Sequence, residues 1–96
     1  MSSTATVKII NRLGMHARPA MIFAEAAQEF DADITIRRTD KPSPVDAKSI
    51  MQLMMLAAVC GTELEVVAKG QDAEAAVSEL TALVENRFSE DVVEGS

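Results

Sequence analysis

The chain has no tryptophan and no tyrosine, and phenylalanine is its only aromatic, three in 96 residues. So few aromatics argue against an aromatic platform for stacking single-stranded bases. There is one cysteine, Cys60. No internal disulfide can form, which fits a reducing compartment, and Cys60, inside the apolar stretch Leu53–Cys60, is expected to be a small buried hydrophobe. With a single histidine, His16, and that lone cysteine far from it, no ligand cluster for a metal is evident. The same apolar stretch is the longest such run, eight residues, too short to span a bilayer. The opening MSSTATVKII lacks the charged and apolar regions of a signal peptide. A soluble, cytoplasmic protein is the expectation. Acids are missing from the first 24 residues, which carry Lys8, Arg12 and Arg18, whereas all 15 lie beyond. The net charge of −6 thus divides into +3 for residues 1–24 and −9 for the rest. The acidic average opposes binding to nucleic acid or anionic membrane.

What is present is a globular profile, 48% hydrophobic and 25% charged. The length suits one domain spanning 1–96, with a core over about 4–88 and a loose acidic tail at 89–96. Thr4–Ile10 alternates, with Ala5, Val7 and Ile9 on one face, and predicts a strand. Asn11–Gly14 reads as a loop. Pro19 near the start, and Ala20, Phe23, Ala24 and Ala27 at helical spacing, predict a helix from about His16 to Glu29. Asp31–Asp33 is a turn. Ile34 and Ile36 mark a second strand, residues 39–44 a proline-containing turn, and Val45–Asp46 a short third strand. A short helix follows Ser49, with Gly61 as a plausible stop. Thr62–Lys69 alternates again, with Leu64, Val66 and Ala68 inward. Ala73, Ala76, Val77, Leu80, Leu83 and Val84 give the strongest helical stripe, preceded by Asp72. The order is β-α-β-β-α-β-α. Its natural solution is an α+β fold: an open-faced β-sandwich whose four-stranded antiparallel sheet carries three helices on one face.

Chemistry concentrates at Met15-His16-Ala17-Arg18-Pro19-Ala20. A histidine just before a helix faces backbone N–H groups without helical partners and the positive end of the macrodipole. The neutral imidazole ring is the nucleophilic form. A phosphoryl group carried by the ring would find an anion site in the same N–H groups. Arg18 adds a donor fork suited to phosphate, and Gly14 allows a tight backbone approach.

These residues resemble the active-site signature of the HPr family, the histidine-containing phosphocarriers of the bacterial phosphoenolpyruvate-dependent phosphotransferase system. Ala47-Lys48-Ser49-Ile50-Met51 with Leu53-Met54 is similar to the family's second signature, and the similarity runs over residues 4–88. The resemblance implies a carrier rather than a self-sufficient enzyme, monomeric and needing no cofactor. His16 would accept a phosphoryl group on Nδ1 from enzyme I and pass it to a IIA protein or domain, in sugar uptake. Arg18 would steady the phosphate, and the N–H groups of Ala17 and Arg18 would receive its oxygens. Ser49, expected to cap its helix, would also be the target of an HPr kinase/phosphorylase. Met15, Ile50, Met51 and Met54 would supply partner docking, with Met51 and Met54 partly exposed near His16. Asn11–His16 and Arg87–Asp91 look similar to the nitrogen-related NPr branch, so a regulatory relay is the alternative. An acyl carrier protein, also small and acidic with a serine opening a Met-containing helix, is opposed by the strand-period segments, the absence of Asp immediately before Ser49, and the idle His16 and Arg18.

Overall fold

The computed structural model describes residues 1–12 and 14–89. Its elements run β1 (Ser2–Lys8), α1 (Ala17–Gln28), β2 (Asp33–Arg38), β3 (Val45–Asp46), α2 (Ile50–Met55), β4 (Glu63–Lys69) and α3 (Ala73–Glu85), followed by a 3-10 turn over Arg87–Ser89. The strands form one sheet in the order β1-β4-β2-β3, and each neighbouring pair is antiparallel. The fold expected from the sequence, an open antiparallel sheet with three helices, is the one observed.

Alternation decides the two faces. Val7, Leu64, Val66, Ala68, Ile34 and Ile36 are buried and turn one face of the sheet towards the helices. Thr4, Thr6, Lys8 and Glu63 stay exposed on the other. The helix layer answers with Ala20, Phe23, Ala24 and Ala27 from α1 and Ala73, Ala76, Val77, Leu80 and Val84 from α3. Small alanines let these helices sit close to the sheet. From α2 only Leu53 is buried. Phe88, beyond α3, has no exposed surface and meets Phe23 edge to face, with ring centroids 6.5 Å apart. Asp72 precedes α3 without capping it; its carboxylate instead accepts from the N–H groups of Asp31 and Ala32 at 2.8 and 2.9 Å, tying the turn after α1 to the start of α3.

Several boundaries differ from expectation. β1 runs from Ser2 to Lys8 rather than to Ile10. Ile9 has left the ladder, yet it remains buried and exchanges backbone hydrogen bonds with Gly61 and Thr62 at 2.8 and 2.9 Å. The helix after Ser49 stops at Met55, well before Gly61. Ala57 there adopts a left-handed φ of 53° and turns the chain out of the helix. That early stop corrects the expectation for Cys60. The thiol is exposed, because the apolar run is no longer helical at its end and Ala58 takes the buried place. The expected loose tail lies outside the described residues, Ser89 apart.

Candidate functional site

His16 is the residue that caps α1 at its N-terminus. Its backbone is extended, φ −88° and ψ −169°, and its carbonyl accepts the first helical bond, from Ala20 N at 3.0 Å. A side chain in this place ordinarily accepts from the second or third helical N–H. Here the third helical residue is Pro19, which has no N–H, and the His16 side chain does not cap the helix. Ala17 and Arg18 are therefore the helical residues at the start of α1 whose N–H groups have no acceptor within the helix. No acid occupies the first turn of α1, so no carboxylate of that turn competes for the positive end of the dipole. His16 is half-buried, while Ala17 and Arg18 are exposed. His16 is thus held at the start of α1 and is partly open to solvent.

The loop before it is built by contacts from elsewhere in the chain. Asn11 is buried and its Nδ2 donates to the Gly14 carbonyl at 2.8 Å. The same carbonyl accepts from His16 N at 3.0 Å. Met15 N donates to the Ala58 carbonyl at 2.8 Å, which pins the loop to the segment following α2. Gly14 sits at φ +72°, and a Cβ there would meet the carbonyl oxygen of Ala58 and lie 2.7 Å from Val59 Cα. Only glycine fits that approach.

The sequence-derived docking residues separate into two groups. Ile50, Met51 and Met54 are exposed, at 37%, 75% and 45%. Met15 is a correction: at 4% exposure it is a core residue, because its backbone is drawn in against Ala58. Met55, Val59, Met21 and Ile10 are exposed as well and were missed. Where α2 stops determines which of its methionines face outward, and no local periodicity reveals that in so short a helix. Ser49 caps α2 as expected, its Oγ accepting from Gln52 N at 3.2 Å. Asn11 was also missed as a site residue. Its signal was an asparagine in a loop containing glycine, a pattern in which the side chain folds the backbone.

Residues 3–86 match the family model described as "PTS HPr component phosphorylation site". The chain belongs to the HPr family. It is 46% identical over 86 residues to the phosphocarrier protein HPr of Treponema pallidum, covering 90% of this chain and 96% of that one. It is 42% identical over 91 residues to the phosphocarrier protein NPr of Escherichia coli K12, covering 95% of this chain and all of that one. Among solved structures, HPr-C-His from Thermoanaerobacter tengcongensis superimposes with a TM-score of 0.85 at 38% identity, over 92% of this chain and 97% of that one. HPr-family proteins are carriers in the phosphotransferase system rather than catalysts, and a half-buried histidine at a helix N-terminus suits that task. No helix among the described residues is long and apolar enough to cross a membrane.

Proposed function

We propose that His16 is the phosphoryl acceptor and that the chain shuttles the group from enzyme I to a IIA protein or domain in the cytoplasm, as a monomer. The observation carrying this is the placement of His16 as N-cap of α1, immediately before Ala17 and Arg18, with Pro19 third and no acid in the first turn. In the forward step, the ring lone pair, on Nδ1 by the family resemblance, attacks the phosphorus of phosphorylated enzyme I. The donor's bond to phosphorus breaks as the new N–P bond forms. The transferred oxygens then face the helix N-terminus, and Arg18 supplies a fixed cation. A nucleophile of the IIA protein then attacks the phosphorus as the N–P bond breaks, and the electron pair of that bond returns to the ring and regenerates His16. Ile50, Met51 and Met54 form the adaptable apolar part of the docking surface.

Incubation with enzyme I and phosphoenolpyruvate tests this. One acid-labile phosphoryl group should be gained, and His16→Ala should abolish the gain. A label that persists in His16→Ala overturns the assignment.

Sugar uptake is the expected setting, with Ser49 open to an HPr kinase/phosphorylase. A phosphate on Ser49 would add about −1.5 to −2 charges beside the docking face. Undiminished labelling of Ser49→Ala by that kinase would remove Ser49 from the account. The nitrogen branch is the second reading, favoured by the similarity of Asn11–His16 to that branch and by 42% identity to an NPr protein. Rates of phosphotransfer from the sugar-system and nitrogen-system enzyme I proteins, measured side by side, separate the two.

A further inference from the structure

Two consecutive arginines end β2, and alternation sends them to opposite sides of the sheet. Arg37 stands beside Glu65 and bonds its carboxylate at 3.0 Å. Its Nη1 also donates to the carbonyls of Arg38 and Lys41, at 3.2 and 2.9 Å, which fixes the 39–44 turn. Arg38 stands beside Leu64, whose side chain faces the helices. Its Nε and Nη2 each meet an oxygen of Asp40 at 3.0 Å, a two-pronged pairing that orients the guanidinium. The remaining nitrogen, Nη1, is shared between the carbonyls of Leu56 and Ala57 at 3.4 and 3.3 Å.

Those carbonyls close the C-terminal end of α2. This helix has only six residues, buries one side chain and has no basic residue in its last turn. A helix so short has little intrinsic stability, and its position depends on what holds its ends. Its start is tied by the Ser49 cap and by Gln52, whose Oε1 accepts from Asp46 N at 2.9 Å. Its finish is held by a cation brought from β2, the sign that suits a helix C-terminus. Ala57, kept at a left-handed φ of 53°, lies between. The next carbonyl, Ala58, accepts from Met15 N, next to His16.

We infer that Arg38, oriented by Asp40, is a positioning residue for phosphoryl exchange. It clamps the turn after α2 so that the methionine-bearing helix and the loop carrying His16 keep one fixed relation. This inference rests on the phosphocarrier reading of His16. Arg38 touches no reacting atom; it acts through Leu56 and Ala57 on the docking surface and on the Ala58–Met15 bond. The loop keeps its own brace from Asn11, so loss of the clamp weakens docking more than chemistry.

The test combines steady-state phosphotransfer from enzyme I with amide hydrogen exchange of the isolated chain. Arg38→Ala should raise KM for the carrier about fivefold with kcat little changed, and should speed exchange at the Met15 amide by a similar factor, the scale of one lost hydrogen bond. Exchange at Val66, in the centre of the sheet, should not move. Arg38→Lys keeps the charge but cannot bridge Asp40 and two carbonyls at once, so it should retain most of both defects. Asp40→Asn, which leaves Arg38 in place, should shift both readouts in the same direction by less. Unchanged Met15 exchange in Arg38→Ala overturns the clamp, as does full recovery of KM by Arg38→Lys, which would mark a simple charge contact with the partner. Should Arg38→Ala fail to fold, Asp40→Asn decides, and unchanged Met15 exchange there is equally fatal. Failure of the wild-type chain to accept phosphate would instead defeat the reading of His16. Met15 exchange needs no partner and would still decide the clamp.

Discussion

Replacing Gly14 by alanine should be costly, because two separate penalties meet there. The first is conformational. At φ +72° an alanine pays about 1–2 kcal/mol relative to its preferred conformations. The second is spatial. The new Cβ would run into the Ala58 carbonyl oxygen and come within 2.7 Å of Val59 Cα. Both are backbone atoms, so no rotamer change relieves the contact. The segments must separate, and Met15 N then loses its acceptor on Ala58. A buried donor left unmade costs about 1–3 kcal/mol. Together the loss is about 2–5 kcal/mol. At roughly 4–8 °C per kcal/mol for a domain of this size, the melting temperature should fall by about 8–40 °C.

Gly61→Ala isolates the first penalty. Its φ is +96°, but nothing lies within 4 Å of the added Cβ, so it should lose only about 1–2 kcal/mol. Urea unfolding of both variants gives the comparison, with the slope checked for constancy. Phosphoryl acceptance from enzyme I, measured well below both melting temperatures, should fall sharply in Gly14→Ala and little in Gly61→Ala, since only the former displaces the loop on which His16 rides. Equal destabilisation by the two substitutions would refute the close approach of Gly14 to the 58–59 segment.

Phe88→Ala should lower stability by about 3–5 kcal/mol, because its fully buried ring packs edge to face on Phe23; chemical denaturation measures this. Ser49→Ala should cost about 1 kcal/mol and fray the start of α2, visible as faster exchange at the Gln52 amide, whereas Ser49→Asp should keep the cap. The hydrogen bonds from Arg38 hold the Asp40 carboxyl below its ordinary value of 3.8. A depressed folded-state value means that the pair stabilises the fold above the unfolded carboxyl's titration range and that this contribution disappears as pH falls through the folded value. Titration of Asp40 followed by NMR should therefore show a midpoint below 3.8 that moves back towards it in Arg38→Ala.

How much could be read in advance depended on the range of the interactions. The start of α1 was legible because everything that makes it lies within a few residues: His16, then Pro19 in the first turn, then alanine and phenylalanine at helical spacing. The strands were legible because Ile34, Ile36, Leu64, Val66 and Ala68 alternate with residues that tolerate water. α2 was less legible. Its end is set by the left-handed turn at Ala57 and by the guanidinium of Arg38, and neither leaves a local mark. The misreading of Cys60 as buried and of Met15 as a docking residue came from the same source. Composition makes both plausible in either place, and the Met15–Ala58 bond decides.

The site also shows why side-chain chemistry alone underdescribes a carrier. His16 and Arg18 are the residues that a search for reactive groups finds, yet most of the surrounding structure is backbone. The N–H groups of Ala17 and Arg18 have no acceptor within the helix because α1 begins there, and Pro19 sets the limit by having none. The Gly14 carbonyl holds the loop from Asn11 and from His16 itself, and the Ala58 carbonyl holds it from outside. A group that must be accepted and then surrendered is better served by such fixed dipoles than by a strong ionic cage. On the proposed role of His16, fixed dipoles at the helix start would cost no reorganisation when a phosphoryl group arrived, and they would carry no full charge to retain it. The exposed cation, Arg18, is screened by solvent. The shuttle's small size is consistent with this arrangement: the rigid part of the site is supplied by one helix start, one tight glycine and one neighbouring loop.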